Sequence, residues 1–170
     1  MGGIKEAKKG EGCVKTLSFK PKGSSSGGSD WDDGVYCNIK TLEIQFGGRC
    51  IDAIRFQYED KYGNSVTPQK HGGNEGKRII QVRLNCPDEY LISIHGYHGD
   101  IYDRFGNPTH VIRSLTFETN EQSLGPYGIE ERIKFSFPTT GLIKIVGFHG
   151  RSGWFLDAIG FHYLPISISK

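Results

Sequence analysis

The 170-residue sequence predicts an all-β domain in which three sheets pack around a common axis. Three observations predict it. Short apolar–polar alternations of strand length recur with turn signals between them, about ten to twelve in all. Helical periodicity is confined to Ile4–Lys9, shorter than a stable isolated helix needs. One strand pattern also occurs three times: Ile51-Asp52-Ala53-Ile54-Arg55-Phe56, Ile112-Arg113-Ser114-Leu115-Thr116-Phe117 and Leu156-Asp157-Ala158-Ile159-Gly160-Phe161. Each copy follows a strand and a glycine loop, at Gly27-Gly28, Gly72-Gly73 and Gly125–Gly128. One unit of four short strands cannot bury its own face. Three of them around an axis can.

The elements follow in order. Residues 1–12 read as a polar, lysine-rich tail, and residues 13–170 as one domain. Val14–Phe19 alternates as a strand, and Pro21–Asp30 reads as a glycine-serine loop ending in the turn signal Trp31-Asp32-Asp33-Gly34. Strands are expected at Val35–Phe46 and Ile51–Tyr58, with the hairpin turn Asp60–Asn64 and a return over Ser65–Lys70. Further strands are expected at Lys77–Leu84, Tyr90–His95, Val111–Glu118, Ile133–Phe137 and Leu142–Phe148. Gly96–Thr109 and Gln122–Glu131 read as polar loops.

Composition narrows the function classes. Apolar residues at 36% and charged residues at 24% describe a globular chain, and 24 glycines without a collagen-like period suit tight turns between strands. A formal charge of +2 gives no electrostatic case for nucleic acid or an anionic membrane. No apolar run approaches the ~20 residues of a membrane span. The four cysteines, Cys13, Cys37, Cys50 and Cys86, lack paired spacing, and the N-terminus lacks the apolar stretch of a signal peptide. Reduced, mostly buried thiols in a cytoplasmic protein are the expectation. Met1-Gly2 suggests myristoylation, but Glu6 stands where Ser or Thr is wanted.

The chemistry concentrates in Gly150–Tyr163. Gly153, Trp154, Phe155 and Asp157 put backbone amides, aromatic surface and a carboxylate within five residues. An ionised Asp accepts from two neighbouring hydroxyls at once, amides donate, and a ring covers the apolar face of a pyranose. Alone, the stretch reads equally as an ordinary loop before an edge strand. The repeat decides, because Gly48-Arg49-Cys50-Ile51-Asp52 has the same G-x-x-x-D spacing, while the third copy has Arg113 in place of the acid.

Five segments, in order, carry a resemblance to a known family: Trp31–Tyr36 (WDDGVY), Asp88–Leu91 (DEYL), Arg113–Asn120 (RSLTFETN), Gly125–Gly128 (GPYG) and Gly153–Gly160 (GWFLDAIG). From about Cys13 to Pro165 the chain resembles the jacalin-related lectins, of the mannose-binding type with a single uncleaved chain. The resemblance implies a type I β-prism of three Greek-key four-stranded sheets with pseudo-threefold symmetry, and a non-enzymatic, carbohydrate-binding function without cofactors. It implies a first sugar site at Gly28, Gly153, Trp154, Phe155 and Asp157, bordered by a long loop carrying Thr109 and His110. A second would use Gly73, Gly48, Arg49, Cys50 and Asp52, and none is expected at Arg113. The partners implied are mannose- or glucose-containing oligosaccharides or glycoproteins, bound by a homodimer or homotetramer. Mannose is favoured over galactose because the loop Ser24–Asp30 is unbroken, with Gly28 where galactose-preferring members use a freed amino terminus. An enzyme acting on glycans and a protein-interaction module that has lost sugar binding are the remaining alternatives.

Other constellations read as structural. His95, His98 and His149 have no metal-ligand spacing. Asp32 and Asp33 are neighbours on an extended chain and face opposite ways, which suits a turn better than paired-carboxylate catalysis. Asp100 and Asp103 are expected to be solvated, and no nucleophile motif or phosphate loop occurs.

Overall fold

The computed structural model describes residues 15–166, so the expected tail, Cys13 and Val14 lie outside the described residues. Every element within them is a strand. The first sheet contains β1 (Leu17–Gly23), β2 (Ser29–Asp32), β12 (Ile143–Ser152) and β13 (Leu156–Pro165), in the order β1-β13-β12-β2. The second contains β3 (Asn38–Phe46), β4 (Ile51–Glu59), β5 (Ser65–Val66), β6 (His71–Gly72) and β7 (Arg78–Arg83). Its order is β5-β4-β3-β7, with β6 also on β4. The third contains β8 (Leu91–Tyr102), β9 (Pro108–Thr119), β10 (Ser123–Gly128) and β11 (Ile133–Ser136), in the order β10-β9-β8-β11. All pairings are antiparallel.

Each sheet is thus a long central hairpin flanked by short outer strands. The hairpins bury apolar side chains from all three sheets in one core. Phe56, Phe117 and Phe161, the last residues of the three sequence copies, are each at most 1% exposed. Phe56 stacks on Phe148 with ring centroids 4.0 Å apart, and Phe117 meets the same ring edge-on at 6.4 Å. Phe161 packs edge-on against Phe137 and Phe19. The repeated aromatic at the end of the pattern is therefore what joins the sheets.

Several expected boundaries move. Gly96–Thr109 is not a loop: β8 continues to Tyr102, β9 starts at Pro108, and only Asp103–Asn107 turns. The glycines there serve close packing, since a Cβ on Gly96 would overlap the Ser114 carbonyl and one on Gly99 the Arg132 side chain. Asp103 is not merely solvated, because its Oδ1 accepts from the amides of Phe105 (2.8 Å) and Asn107 (2.9 Å) and closes the turn. The Pro21–Asp30 loop shortens as β1 runs to Gly23 and β2 starts at Ser29, and Gln122–Glu131 contains β10. Gly150–Ser152 belongs to β12, and the expected return over Ser65–Lys70 pairs only at Ser65–Val66. Of the expected buried thiols, Cys50 is buried, Cys86 is intermediate and Cys37 is exposed, all three free.

Arg132 is the one non-glycine residue with positive φ (84°) among the described residues. That conformation costs an L-residue about 1–2 kcal/mol. Arg132→Gly should therefore raise stability by about 0.5–1 kcal/mol, read as a higher urea midpoint at unchanged slope.

Candidate functional site

The three sequence copies occupy matching places at one end of the sheets. Ala158, Ala53 and Ser114 pair across their hairpins with Arg151, Gln45 and Tyr97, which puts Asp157, Asp52 and Arg113 in register. Beside each lies a glycine with positive φ, at Gly23 (120°), Gly72 (123°) and Gly128 (84°). The following amide donates to the matched carbonyl: Ser24 N to Asp157 O at 2.9 Å, Gly73 N to Asp52 O at 3.0 Å, and Ile129 N to Arg113 O at 3.0 Å. A Cβ on any of these glycines would meet that carbonyl at under 3.0 Å. Only glycine lets the outer loop come this close.

In the first copy, the loop from Ser24 to Gly28 folds over the Asp157 carboxylate. A Cβ on Gly28 would sit 2.5 Å from Asp157 Oδ2, and Gly153 packs against Gly28. Gly28, Gly153 and Asp157 therefore converge as the sequence suggested. Asp157 is only 3% exposed. Burial pushes its carboxyl up to about 6, with the Arg151 guanidinium opposing. No protein hydrogen bond to this carboxylate occurs among the described residues, and its oxygens are not among the fully buried unpartnered atoms, so they stay reachable from outside.

The two aromatic residues of the loop separate. Trp154 is 54% exposed, and its ring faces the Arg104 guanidinium at 5.0 Å and Phe105 at 6.1 Å. Phe155 is buried with Cys50, Ile101 and Val111, so only its backbone can reach a ligand. Thr109 and His110 are engaged within the third sheet: Thr109 Oγ1 donates to Asn107 O at 3.5 Å. His110 Nδ1 bonds Asp100 at 3.0 Å and its Nε2 meets His98 at 2.6 Å, beside a third-sheet concavity of about 450 Å³. The hairpin tip instead sends Arg104 and Phe105 to Trp154.

The second copy is built alike with different side chains. Asp52 is buried, and burial pushes its carboxyl up to about 6, with the Arg49 guanidinium opposing and Glu75 adding to the rise. Gly76 stands over the carboxylate, whereas Gly73 packs against the Trp154 carbonyl. The expected Gly73 is thus a spacer between the two loops, and Gly76 takes the facing position. Arg49 matches Trp154. Its guanidinium donates to Tyr102 O (2.5 Å), pairs with Glu75 (3.3 Å) and lies 5.6 Å from the Phe155 ring centroid. Cys50 is 1% exposed and its thiol is pushed up to about 12 by burial, so the side chain is inert packing. A concavity of about 370 Å³, lined by Gly48, Asp52, Glu75 and Lys77 among others, opens over this copy. Another, of about 330 Å³, runs between Trp154, Arg104 and the 73–75 loop, so the two cradles adjoin.

The third copy is inverted in charge. Arg113 Nη2 pairs with Glu131 of the facing loop at 3.2 Å, and Nη1 donates to Asp100 O at 3.3 Å. Here the facing loop sends a side chain, Glu131, to the strand arginine. Elsewhere, Asp32 bonds His162 while Asp33 bonds His71 and Tyr58, so the adjacent acids do face apart. His95, His98 and His149 pair separately with Glu118, His110 and His162.

A family model described as the Jacalin-like lectin domain matches residues 19–162. The chain belongs to this family. It is 42% identical over 147 residues to Jacalin-related lectin 19 of Arabidopsis thaliana, covering 86% of this chain and 80% of that protein. Against Jacalin-related lectin 3 of the same plant it is 45% identical over 152 residues, covering 89% of this chain but 24% of the relative. The chain thus spans about a quarter of that relative's length. Among solved structures, a mannose-specific jacalin-related lectin from Morus nigra in complex with mannose aligns with 40% identity and a TM-score of 0.78, covering 91% of this chain and 97% of that one. The three-sheet architecture is that of the jacalin-type β-prism, and this jacalin-like lectin domain is carbohydrate-binding and non-enzymatic.

Proposed function

We propose that the domain binds mannose- or glucose-type glycans through the Asp157 cradle. The observation that carries the reading is a carboxylate 3% exposed, without a protein donor among the described residues, under a glycine loop. Two vicinal hydroxyls would supply the missing donors, and the backbone of Gly28, Trp154 and Phe155 would complete the cradle, with the exposed Trp154 ring at its edge. The unbroken loop Ser24–Asp30 favours mannose over galactose, and the mannose-specific Morus nigra lectin supports the same preference.

Asp52, with Gly76, Gly48 and Arg49, forms a second and more strongly charged sugar site. A monosaccharide in such a shallow cradle binds at about millimolar, roughly −4 kcal/mol. Avidity then arises from two adjoining sites on one chain and from assembly into dimers or tetramers.

Calorimetric titration with methyl α-mannoside and methyl α-galactoside tests the preference. Mannoside binding at a Kd of about millimolar with at least tenfold weaker galactoside is expected. Equal or reversed affinities would overturn it. Because binding uses the ionised carboxylate, affinity should be flat above pH 7 and fall as pH drops through about 6. Each further unit of acidification should weaken it about tenfold.

A further inference from the structure

We infer that Arg151 and Gln45 are the positioning residues of the two sugar loops, strand-borne side chains that fix the direction of the loop amides. The inference rests on the reading of the Asp157 and Asp52 cradles given above. The two residues occupy the same place in their sheets, since Arg151 pairs with Ala158 and Gln45 with Ala53, each the residue after the cradle aspartate. Both reach carbonyls of the loop that leads into the neighbouring outer strand. Arg151 Nε donates to Gly27 O at 2.8 Å, Nη2 to Gly28 O at 3.1 Å, and Nη1 to Asp30 Oδ1 at 2.5 Å. Gln45 Nε2 donates to Gly76 O at 2.8 Å, and its own Oε1 accepts from Lys70 at 3.3 Å, which fixes the amide's orientation.

A trans peptide is planar, so holding its carbonyl on one side aims the next N–H to the other. Pinning Gly27 O and Gly28 O therefore sets the Gly28 and Ser29 amides, and pinning Gly76 O sets that of Lys77. Glycine loops otherwise have much conformational entropy to lose on binding, and a side chain that orders them beforehand reduces that cost. The third sheet is an internal control. Tyr97 stands at the matched place, and there the loop is tied through Glu131 to Arg113.

The two devices differ in charge. The Arg151 guanidinium lies near the Asp157 carboxyl and favours its ionised form, and its ion-pair partner Asp30 is the other charged group bound to it. Gln45 offers Asp52 no such help, and the charged groups acting on Asp52 are Arg49 and Glu75.

Wild type, Arg151→Ala and Arg151→Gln separate these roles. Amide hydrogen exchange of the ligand-free proteins comes first, and it does not depend on sugar binding. Exchange at 24–29 should be at least about tenfold faster in Arg151→Ala and close to wild type in Arg151→Gln, which can copy the Gln45 bond. Gln45→Ala should speed exchange at 76–77 alone. Titration with methyl α-mannoside at pH 5–8 follows. At pH 8, Arg151→Ala should bind at least about tenfold more weakly and Arg151→Gln within about threefold of wild type. In both variants the acid midpoint should move above that of wild type. Unchanged exchange at 24–29 in Arg151→Ala, or equally fast exchange in Arg151→Gln, would overturn the inference. If wild type fails to bind mannoside while the exchange pattern holds, the loop-positioning role stands and the sugar assignment fails.

Discussion

Asp157→Asn is expected to abolish mannoside binding and, at pH 7.5, to raise the stability of the ligand-free protein. Both effects come from the same carboxylate. It is 3% exposed, and burial raises its folded-state value from 3.8 to about 6. Between those values folding takes up a proton, so stability falls as pH rises through the window. Above about pH 6 the native state carries a buried charge that the unfolded state solvates freely. Removing it should gain on the order of 1–2 kcal/mol at pH 7.5, with each kcal/mol worth about 2–4 °C in Tm for a chain of this size. At pH 4 the two proteins should melt together. A stabilising substitution that destroys function marks a group kept for its ligand. A lower Tm for the variant at pH 7.5 would mean that the carboxylate has a structural partner after all.

Phe148→Ala should be the most destabilising single truncation in the core. Phe148 is fully buried, lies flat on Phe56 at 4.0 Å and takes Phe117 edge-on, so one ring joins all three sheets. Emptying that position costs about 3–5 kcal/mol in transferred surface and residual cavity. Against a total stability of about 5–15 kcal/mol, the urea midpoint should drop sharply, and binding should survive in the remaining folded fraction. A loss below about 1.5 kcal/mol would contradict a single shared core and favour sheets that fold independently.

The sheet plan was legible because its cause is local. Leu156–Phe161, Ile51–Phe56 and Ile112–Phe117 each present the same buried pattern, and the structure sets them in the same register. The Asp157 cradle was legible for the same reason, since Gly153 and Asp157 lie on one loop and strand. What sequence reading missed lies between segments. Gly73 and Gly76 are both plausible in H-G-G-N-E-G, and only the fold brings Gly76 over Asp52. Arg151 reads as a loop residue and Gln45 as an ordinary strand residue, because their bonds cross to loops 124 and 31 positions away.

The hairpin at Asp103 did leave a signal. Asp103-Arg104-Phe105-Gly106-Asn107 repeats the pattern of Asp60-Lys61-Tyr62-Gly63-Asn64, which already reads as a hairpin turn, and in both the aspartate accepts two turn amides. Gly96 and Gly99 disguised the strand leading into it. Their absent side chains look like loop composition, and in the fold they let neighbouring backbone and Arg132 approach.

The most direct test of the account is an amide chemical-shift titration of ligand-free protein with methyl α-mannoside at pH 7.5, repeated with Asp157→Asn. Wild type should show its largest saturable shifts at Gly28, Trp154, Phe155 and Asp157, with a weaker set at 48–52 and 76, and Asp157→Asn should retain only the second set. Shifts confined to the third-sheet concavity at Gly99, Asp100 and His110, or an unchanged response in Asp157→Asn, would contradict it.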